Sequence, residues 1–447
     1  MPQAPKATKA THATHASQTA ARLGNKMYPA LFAHCESVLT QLLRFDYPAD
    51  QTLSHYFRAH PKLGHADRGL IAESCFAVLR HQRSLSACCA LEITPRRLLL
   101  TALLQQGRNL RELEPLLKKG EADWLGGVKA FDAKTLTPAQ RADLPDWLYE
   151  ALVEQWGEAE TEALAQALKQ AAPLDLRINP LKGEREAVLA RLAQEGIAAK
   201  AGAYSPYAIR LAEKPALARH PLFTEGVIEV QDEGSQLLGL LLAPKRGETV
   251  ADFCAGAGGK TLLLGALMRN TGRLYAFDVS EKRLARLKPR LARSGLANVH
   301  PIRIESEHDA RLKRLAGKMD KVLVDAPCSG LGTLRRNPDL KWRQTLASVA
   351  ELTQKQTAIL AAAARLVKPG GRLLYATCSL LAAENDHIVD AFLSAHPDFS
   401  PVPAHTELAR LNIPDFKDAP RLQLLPHRHN TDAFYAALMV RKGTGEV

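Results

Sequence analysis

Residues 250–261 read Val250-Ala-Asp-Phe-Cys-Ala-Gly-Ala-Gly-Gly-Lys-Thr261, a short apolar run followed by a glycine-rich loop and the start of a helical segment. Glycines let a backbone turn tightly and approach a ligand, because no Cβ stands in the way. A Walker A loop requires glycine where Cys254 stands, and a dinucleotide-binding fingerprint requires glycine where Thr261 stands. Because both of these nucleotide-binding patterns fail by one residue, the remaining candidate ligand for the loop is the amino-acid end of S-adenosylmethionine. The alternative is a glycine turn that binds no ligand.

Around this loop, apolar strands alternate with helical segments over residues 238–442. The pattern predicts strands at 250–253, 272–278, 301–304, 321–325 and 371–376, and helices at 260–269, 281–294 and 350–367. Such alternation indicates an α/β domain with a doubly wound, mostly parallel, Rossmann-like sheet. Ligands of these sheets bind at the carboxyl ends of the strands. Asp278, twenty residues after Gly258 at the end of the second strand, is placed to accept hydrogen bonds from ribose hydroxyls.

The residues before this domain divide into three further parts. Residues 1–24 contain no acidic residue and are predicted to form a disordered basic tail. Residues 25–140 have helical periodicity throughout, with an irregular stretch at 119–137 that favours a domain boundary. Residues 141–237 are expected to form a helical linker and a small α+β unit, with a helix at about 184–195 and strands at 174–178, 207–211 and 227–230.

The composition of the 447 residues limits the class of protein. Fifty-nine Lys and Arg against 47 Asp and Glu give a net charge of +12, which favours a nucleic-acid partner over a merely basic, solvated surface. Seven cysteines, an odd number with no C-x-x-C pair, argue against disulfides and zinc and favour a reducing cytoplasm. No apolar run approaches the length of a membrane span. We therefore expect a cytoplasmic monomer without a metal or a membrane anchor.

Two cysteines follow predicted strands of the sheet. One lies in Asp325-Ala-Pro-Cys-Ser-Gly330 and the other in Ala376-Thr-Cys-Ser379. Either thiol alone is more typical of an inert buried cysteine. Two of them at adjacent strand ends, opposite a cofactor loop, indicate catalysis instead.

A methyltransferase needs a thiol when its target is carbon 5 of cytosine, which is too weak a nucleophile to attack a sulfonium methyl group. Addition of a thiolate to carbon 6 makes carbon 5 enamine-like; after methylation, a proton leaves carbon 5 and the thiolate is released. Asp325 is placed to hydrogen-bond the base edge, and a second thiol or base assists the elimination. This chemistry does not decide between Cys328 and Cys378 as the nucleophile.

Four motifs in order carry a resemblance to a known family. They are the loop after Val250, Asp325-Ala-Pro-Cys-Ser-Gly-Leu-Gly-Thr333, Arg335-Arg-Asn-Pro-Asp-Leu-Lys-Trp342 and Tyr375-Ala-Thr-Cys-Ser379. Together they resemble the RsmB/Sun family of RNA cytosine-5 methyltransferases over residues 145–441, and Thr431-Asp-Ala-Phe-Tyr435 is similar to that family's closing strand. The resemblance implies formation of 5-methylcytosine in RNA with S-adenosylmethionine as cofactor.

The resemblance also implies roles for individual residues. Cys378 corresponds to the nucleophile and Cys328 to the cysteine that helps to release the methylated base. Asp278 corresponds to the ribose ligand, and Asp325 to a residue near both cofactor and base. The cofactor loop corresponds to Cys254, Ala255, Gly256, Ala257, Gly258, Gly259 and Lys260.

The chain departs from the family pattern at two places. Gly256-Ala257 replaces the usual Ala-Pro, so the loop is expected to be less rigid. An aspartate usually follows the third strand to contact adenine; here the spacing favours Glu305, with Asp309 as a rival.

The partner and the accessory regions are predicted less specifically. Residues 63–80 resemble the NusB-like RNA-binding domain of bacterial RsmB proteins, which favours ribosomal RNA over transfer RNA; the alternative is a helical domain that only packs. The target cytosine is expected in single-stranded or loop RNA, because carbon 6 is shielded in a stacked helix. Residues 173–237 are similar to the family's small RNA-contacting subdomain, so Arg177 is expected to face phosphate or, alternatively, solvent. His427, Arg428 and His429 lack metal-ligand spacing.

Two other classes of protein fit these motifs less well. A non-catalytic RNA-binding assembly factor has no need for Lys260, Asp325 and both cysteines together. A DNA cytosine methyltransferase carries its nucleophile in a Pro-Cys motif equivalent to Cys328, and the added Thr-Cys-Ser motif argues for RNA instead.

Overall fold

The computed structural model describes residues 27–90, 92–413, 416 and 418–443, so the predicted tail at 1–24 lies outside the described residues. The chain forms two compact units. One consists of residues 1–149 and 337–343, and the other of residues 150–336 and 344–447. No helix in the described ranges combines the length and the hydropathy that a membrane span requires.

The first unit is helical. The helix Pro95–Gln105 shows how its sequence sets a helix start: the Thr94 side chain accepts the Arg97 N–H, and proline occupies the first helical position. The buried faces of the helices form one apolar core that includes Leu31, Ile71 and Leu100. The described helices are Pro29–Leu42, Ala49–Ala59, His65–Arg80, Gln82–Cys89, Pro95–Gln105, Leu110–Leu113, Glu121–Lys129 and Pro138–Ala142, with Asp146–Trp156 beginning at its end and single 3₁₀ turns at Glu114–Leu116 and Ala133–Thr135.

The prediction of an irregular stretch at 119–137 is wrong over the helix Glu121–Lys129. Gly126 and Gly127 lie inside this helix and lower its intrinsic propensity by about 1 kcal/mol each. Leu125 and Val128 are buried, and this packing offsets the cost.

The segment Asn337–Arg343 belongs to the helical unit although it lies far along the chain. The Asp339 carboxylate accepts the Ala49 N–H at the start of one helix (3.2 Å). At the end of another helix, Lys341 Nζ donates to the Arg80 carbonyl (2.7 Å) and Trp342 Nε1 to the Leu79 carbonyl (2.9 Å). An anion at a helix N-terminus and a cation at a C-terminus each oppose the partial charge of the helix end.

The second unit contains a small antiparallel sheet that packs against the helix Arg185–Gln194. Its strands are β1 (Leu174–Ile178), β2 (Ala199–Ala201), β3 (Ala208–Leu211) and β4 (Ile228–Val230), in the order β2-β3-β1-β4. The three predicted strands and the helix are present, and the exposed three-residue β2 was not predicted. Leu176, Ile209 and Leu192 lie in its core.

The larger sheet of this unit follows the order β10-β12-β9-β8-β5-β6-β7, with β11 paired to β12. From β9 to β7 the strands are parallel, and β12 is antiparallel to β9. The strands are β5 (Thr249–Asp252), β6 (Arg273–Asp278), β7 (Val299–Arg303), β8 (Met319–Asp325), β9 (Val367–Thr377), β10 (Phe399–Val402), β11 (Leu422–Leu424) and β12 (Phe434–Arg441).

Helices cover this sheet, as the predicted fold class requires; those packed on it include Glu233–Leu242, Gly259–Leu267, Glu281–Ser294, Leu346–Ala364 and Asp386–Ala395. The other helices are Glu158–Leu168, Pro221–Thr224, Ala310–Lys313, Ala404–Arg410 and Pro426–His429, with Leu340–Arg343 in the helical unit and single 3₁₀ turns at Leu217–Arg219, Leu331–Thr333 and Ala382–Glu384. The chain moves outward in one direction from β5 to β7 and in the other from β8 to β9, so the switch point lies between β5 and β8. The doubly wound fold is confirmed, and the loops after β5, β8 and β9 meet at the place where such sheets bind ligands.

Candidate active site

The glycine-rich loop connects β5 to the helix Gly259–Leu267. Gly258 has φ +83°, a conformation that favours glycine, and a Cβ there would lie 2.1 Å from Leu287 Cδ1, so this leucine side chain would also have to move. Backbone hydrogen bonds from Ala255 N to the Phe277 carbonyl (2.8 Å) and from Gly258 N to the Ala255 carbonyl (2.9 Å) fix the turn. The loop therefore presents backbone N–H groups at a helix N-terminus, as a cofactor loop does.

Two arginines hold carbonyl groups of this loop. Arg177 Nη1 donates to the Gly259 carbonyl (2.6 Å) and to the Gln231 side chain. Arg290 Nη1 donates to the Ala257 carbonyl (2.6 Å), and its Nη2 lies 3.0 Å from a Glu229 carboxylate oxygen. The loop lacks the proline of the family pattern, and these bonds supply rigidity from outside.

The sequence predicts that Arg177 faces either phosphate or solvent, and both predictions are wrong. Its side chain is buried and faces neither phosphate nor solvent. Burial lowers the pKa of its guanidinium to about 10, which leaves it charged at neutral pH. Its partners lie 54 and 82 residues away in the chain, so local sequence gave no signal of this contact.

Lys260 and Asp325 form a direct pair between the loop and the end of β8. Lys260 Nζ donates to Asp325 Oδ2 at 2.7 Å. Burial lowers the pKa of Lys260, but the charge and hydrogen bond of Asp325 outweigh it and raise that pKa above its ordinary value. The charge of Cys378 also interacts with Lys260, so a cation lies near this thiol.

Asp252 at the end of β5 is a buried carboxylate that the sequence did not single out. Its Oδ2 accepts the Thr261 hydroxyl (2.7 Å), while its Oδ1 is buried without a hydrogen-bond partner. Burial raises its pKa to about 7, and the nearby charge of Asp325 acts in the same direction. An orphaned carboxylate oxygen beneath the glycine loop suits a cationic ligand group.

Asp278 ends β6 on the other side of the loop. Its Oδ2 accepts the Gly256 N–H (2.8 Å) and its Oδ1 the Ser280 N–H (2.7 Å). Each oxygen keeps further acceptor capacity for a ligand hydroxyl. Asp278, the residue predicted to bind the ribose, is therefore hydrogen-bonded directly to the predicted cofactor loop.

The loop after β7 distinguishes Glu305 from Asp309. Asp309 caps the helix Ala310–Lys313 and binds the Arg311 guanidinium (2.6 and 2.9 Å) and the Glu305 N–H (3.0 Å). The hydrogen bonds from Arg311, followed by the Glu305 N–H, hold the pKa of Asp309 well below its ordinary value. Asp309 is thus committed to its own loop, whereas the Glu305 side chain is exposed, which favours Glu305.

The two thiols at the ends of β8 and β9 face each other, with Cys328 Sγ 3.5 Å from Cys378 Sγ. Both cysteines are partly exposed. The hydrogen bond to Cys378, together with burial, raises the pKa of Cys328 well above its ordinary value, and the charges of Cys378 and Glu384 add to this. Two thiols this close do not ionise together, so one thiolate disfavours the second.

Glu384 is a site residue that the sequence reasoning missed. It is fully buried, and its Oε1 accepts the Ser329 N–H (2.8 Å) and the Gln356 amide (2.9 Å). Its Oε2 accepts the hydroxyls of Ser329 (2.5 Å) and Ser379. One carboxylate thus binds the residue that follows each cysteine, and the 50 residues between those serines explain why no local pattern revealed it.

Gly332 joins the two cysteine loops through the backbone. Its N–H donates to the Cys378 carbonyl (2.8 Å), and its own carbonyl accepts the Ala433 N–H (3.0 Å). A Cβ at Gly332 would lie 2.5 Å from the Ala433 carbonyl oxygen and 2.7 Å from the Cys378 carbonyl oxygen. Only glycine fits between these two segments.

Two other predicted features lie outside this centre. Cys254 is half-buried in the loop, and burial raises its pKa well above the ordinary value, so it is an inert thiol there. His427 Nε2 pairs with Glu160 Oε1 (2.5 Å), which gives it a local structural partner. Across the described residues, no three His, Cys, Asp or Glu side chains form a group that could hold a metal.

The doubly wound sheet, the glycine loop at its switch point, and the acidic residue at the end of the next strand define an S-adenosylmethionine-dependent methyltransferase. Residues 239–440 match the family described as 16S rRNA methyltransferase RsmB/F, and residues 144–218 match its ferredoxin-like domain. The chain belongs to the RsmB/F methyltransferase family.

Individual relatives agree with this assignment. A probable ribosomal RNA small subunit methyltransferase B from Synechocystis is 39% identical over 312 residues, which covers 70% of each chain. The crystal structure of PH0851 covers 93% of this chain and 99% of its own, with 27% identity and a TM-score of 0.74. A methyltransferase homologue from Pyrococcus horikoshii covers 70% of this chain and 100% of its own, with 28% identity and a TM-score of 0.59.

Proposed function

We propose that this protein methylates carbon 5 of a cytosine in ribosomal RNA, with Cys378 as nucleophile and Cys328 as the residue that helps to release the product. The observation that carries the proposal is the pair of thiols 3.5 Å apart at adjacent strand ends. The Lys260–Asp325 pair lies beside them. A transfer to an oxygen or nitrogen atom needs no thiol, whereas carbon 5 of cytosine does.

The site fits S-adenosylmethionine, which supplies the methyl group when bound. The loop of residues 254–260 would hold its amino-acid end, and Gly258, with φ +83°, forms the turn at the start of the following helix. Asp252 Oδ1, which has no hydrogen-bond partner within the protein, would interact with a positively charged group of the cofactor. Asp278 would accept from the ribose hydroxyls, and Glu305 would contact the adenine.

Electrostatics support the division of work between the thiols. Cys378 lies near the Lys260 cation, whereas Cys328 stays protonated because the hydrogen bond to Cys378 and burial raise its pKa. The Cys378 thiolate adds to carbon 6, opens the 5,6 double bond and makes carbon 5 nucleophilic. Asp325 hydrogen-bonds the base edge and stabilises this adduct.

Release of the product depends on the electrostatic repulsion between the two thiolates. Once Cys378 is a thioether, its negative charge no longer opposes ionisation of Cys328, whose proton then passes to solvent. The Cys328 thiolate takes the proton from carbon 5, the 5,6 double bond reforms, and Cys378 leaves as a thiolate. Each thiol is thus ionised only when the other is not.

The charge and the relatives support RNA as the substrate. The net charge of +12 favours a polyanion, and relatives at 33–39% identity are named ribosomal RNA small subunit methyltransferase B. The helical unit would dock the RNA, and the target cytosine would lie in a single strand or loop. We further propose that the protein acts as a monomer in the cytoplasm, where its cysteines stay reduced.

The test uses single cysteine variants with S-adenosylmethionine and small-subunit ribosomal RNA, with transfer RNA as a second substrate. Cys378→Ala is expected to abolish both methylation and covalent adduct. Cys328→Ala should accumulate a protein–RNA species that survives a denaturing gel. Cys88→Ala, at a buried cysteine of the helical unit, is the control. An active Cys378→Ala with adduct lost in Cys328→Ala would reverse the assignment, and methylation of transfer RNA alone would refute the substrate.

A further inference from the structure

The buried carboxylate of Glu384 lacks a cationic partner among its hydrogen bonds. All four donors are neutral: the Ser329 N–H, the hydroxyls of Ser329 and Ser379, and the Gln356 amide. Burying a charge costs several kcal/mol unless hydrogen bonds compensate. A neutral glutamine in this place would avoid that cost, so the negative charge calls for a functional reason.

Glu384 is linked to both cysteine loops through the serines that follow the cysteines. Ser329 and Ser379 directly follow Cys328 and Cys378, and their hydroxyls lie 3.2 Å apart beside the shared carboxylate. Gln356 also donates to the Pro327 carbonyl (3.0 Å), which ties the other side of Cys328 to the same network. The carboxylate therefore fixes the spacing of the two cysteine loops.

The charged groups around Cys328 act in one direction. Cys378 and Glu384 both disfavour its thiolate, and Tyr375, whose hydroxyl donates to the Glu384 carbonyl (2.7 Å), is neutral at physiological pH. Lys260, a cation of the same site, is paired with Asp325. Glu384 is thus the fixed negative charge that remains when Cys378 has become a thioether.

We propose that Glu384 is a positioning residue that fixes the spacing of the two cysteine loops and places a constant negative charge beside Cys328, so that Cys328 ionises only after thioether formation has removed the opposing charge of Cys378. This role rests on the proposed two-thiol reaction. It predicts that neutralising Glu384 eases ionisation of Cys328, whereas loosening the loops alone does not.

The test measures alkylation of Cys328 by iodoacetamide against pH, with each cysteine quantified by peptide mass spectrometry. The background is Cys378→Ala, which removes the largest cause of the raised Cys328 pKa and brings the midpoint into a measurable range. Adding Glu384→Gln should lower the midpoint by about one pH unit. Adding Glu384→Asp instead, which keeps the charge, should leave the midpoint close to that of the Cys378→Ala background.

A purely structural role gives a different result, because a loosened loop changes the maximum alkylation rate and leaves the midpoint unchanged. Gln356→Met, which removes one donor and keeps the charge, is the matched control and should not lower the midpoint. An unshifted midpoint in folded Glu384→Gln would overturn the proposal. Alkylation requires neither RNA nor cofactor, so this outcome is separate from failure of the methyltransferase function.

Activity of the full enzyme supplies the second measurement. Glu384→Asp, one methylene shorter, loses contact with a serine and should lower kcat at least tenfold, with KM for RNA and Kd for the cofactor unchanged. This variant keeps the proposal testable if Glu384→Gln does not fold, as checked by thermal melting. Wild-type kcat in Glu384→Asp would refute the positioning role.

Discussion

Replacing Gly332 with alanine tests how closely the backbone must hold Cys378. The added Cβ would lie 2.5 Å from the Ala433 carbonyl oxygen and 2.7 Å from the Cys378 carbonyl oxygen, whereas ordinary contact begins at 3.4 Å. If Gly332 stays in place, the Cys378 carbonyl must shift by roughly 0.7 Å and the Ala433 carbonyl by roughly 0.9 Å to reach 3.4 Å, since both neighbours are backbone. The hydrogen bond between Gly332 and the Cys378 carbonyl must lengthen with it.

Two magnitudes follow from this displacement. Overpacking of this kind costs about 1–3 kcal/mol of stability. A misplacement near 1 Å lowers the rate of a positioned reaction by up to about 100-fold. We expect kcat to fall about 10- to 100-fold, because Cys378 is the proposed nucleophile. The cofactor Kd should not change, because the nearest neighbours of a Cβ at Gly332 include no residue of the glycine loop.

The assay is single-turnover transfer of a labelled methyl group to small-subunit ribosomal RNA, with cofactor binding measured by calorimetry. Gly443→Ala is the control, because a Cβ at Gly443 has no atom within 4 Å. Wild-type kcat in a folded Gly332→Ala protein would refute the argument that this contact positions Cys378. A loss confined to cofactor affinity would refute it as well.

Three further predictions concern the loop, the buried carboxylate and the helical core. Arg290→Met removes the bond to the Ala257 carbonyl and should weaken cofactor binding about tenfold by calorimetry, with little change in kcat at saturation; an unchanged Kd would contradict this. Asp252 has a raised native pKa of about 7, so its native state gains protons and stability falls as pH rises from about 4 to 7, on the order of 4 kcal/mol at most. In thermal melts, the Tm of Asp252→Asn should therefore rise relative to that of the wild type as pH rises over that interval. Tm curves that run parallel with pH would contradict this. Leu100→Ala, at a fully buried position, should lose about 2–5 kcal/mol in denaturant unfolding, against a negligible loss for the exposed Leu346→Ala.

The sequence predicts the catalytic sheet well because its signals are local. Each chemical motif directly follows an apolar strand, so Lys260, Asp325 and Cys378 could be placed at strand ends without knowledge of the fold. The observed contacts between Lys260 and Asp325 and between the two thiols follow from that placement. Their roles in the reaction stay predictions that the variants above test.

Contacts between distant parts of the chain could not be predicted in the same way. Arg177 lies in a short strand that is compatible with an exposed side chain, and only the folded small sheet brings it to Gly259. Glu384 lies among alanines and has no pattern that separates it from a surface glutamate. The three-residue strands β2 and β11 are too short for alternation to show, and pairing with a longer neighbour defines them.

The segment Asn337–Arg343 makes the helical unit discontinuous in sequence, since two stretches of chain separated by 187 residues complete one fold. A protease cut in the residues just before 150 would break the covalent link between residues 337–343 and the rest of the helical unit. The segment would stay bound to that unit by its packing and hydrogen bonds, so the cleaved pieces should stay together in native gel filtration. A fragment that ends at Tyr149 would leave the Ala49 N–H and the Leu79 and Arg80 carbonyls without their partners. A single truncation or one recombination point therefore cannot remove or replace the complete helical unit.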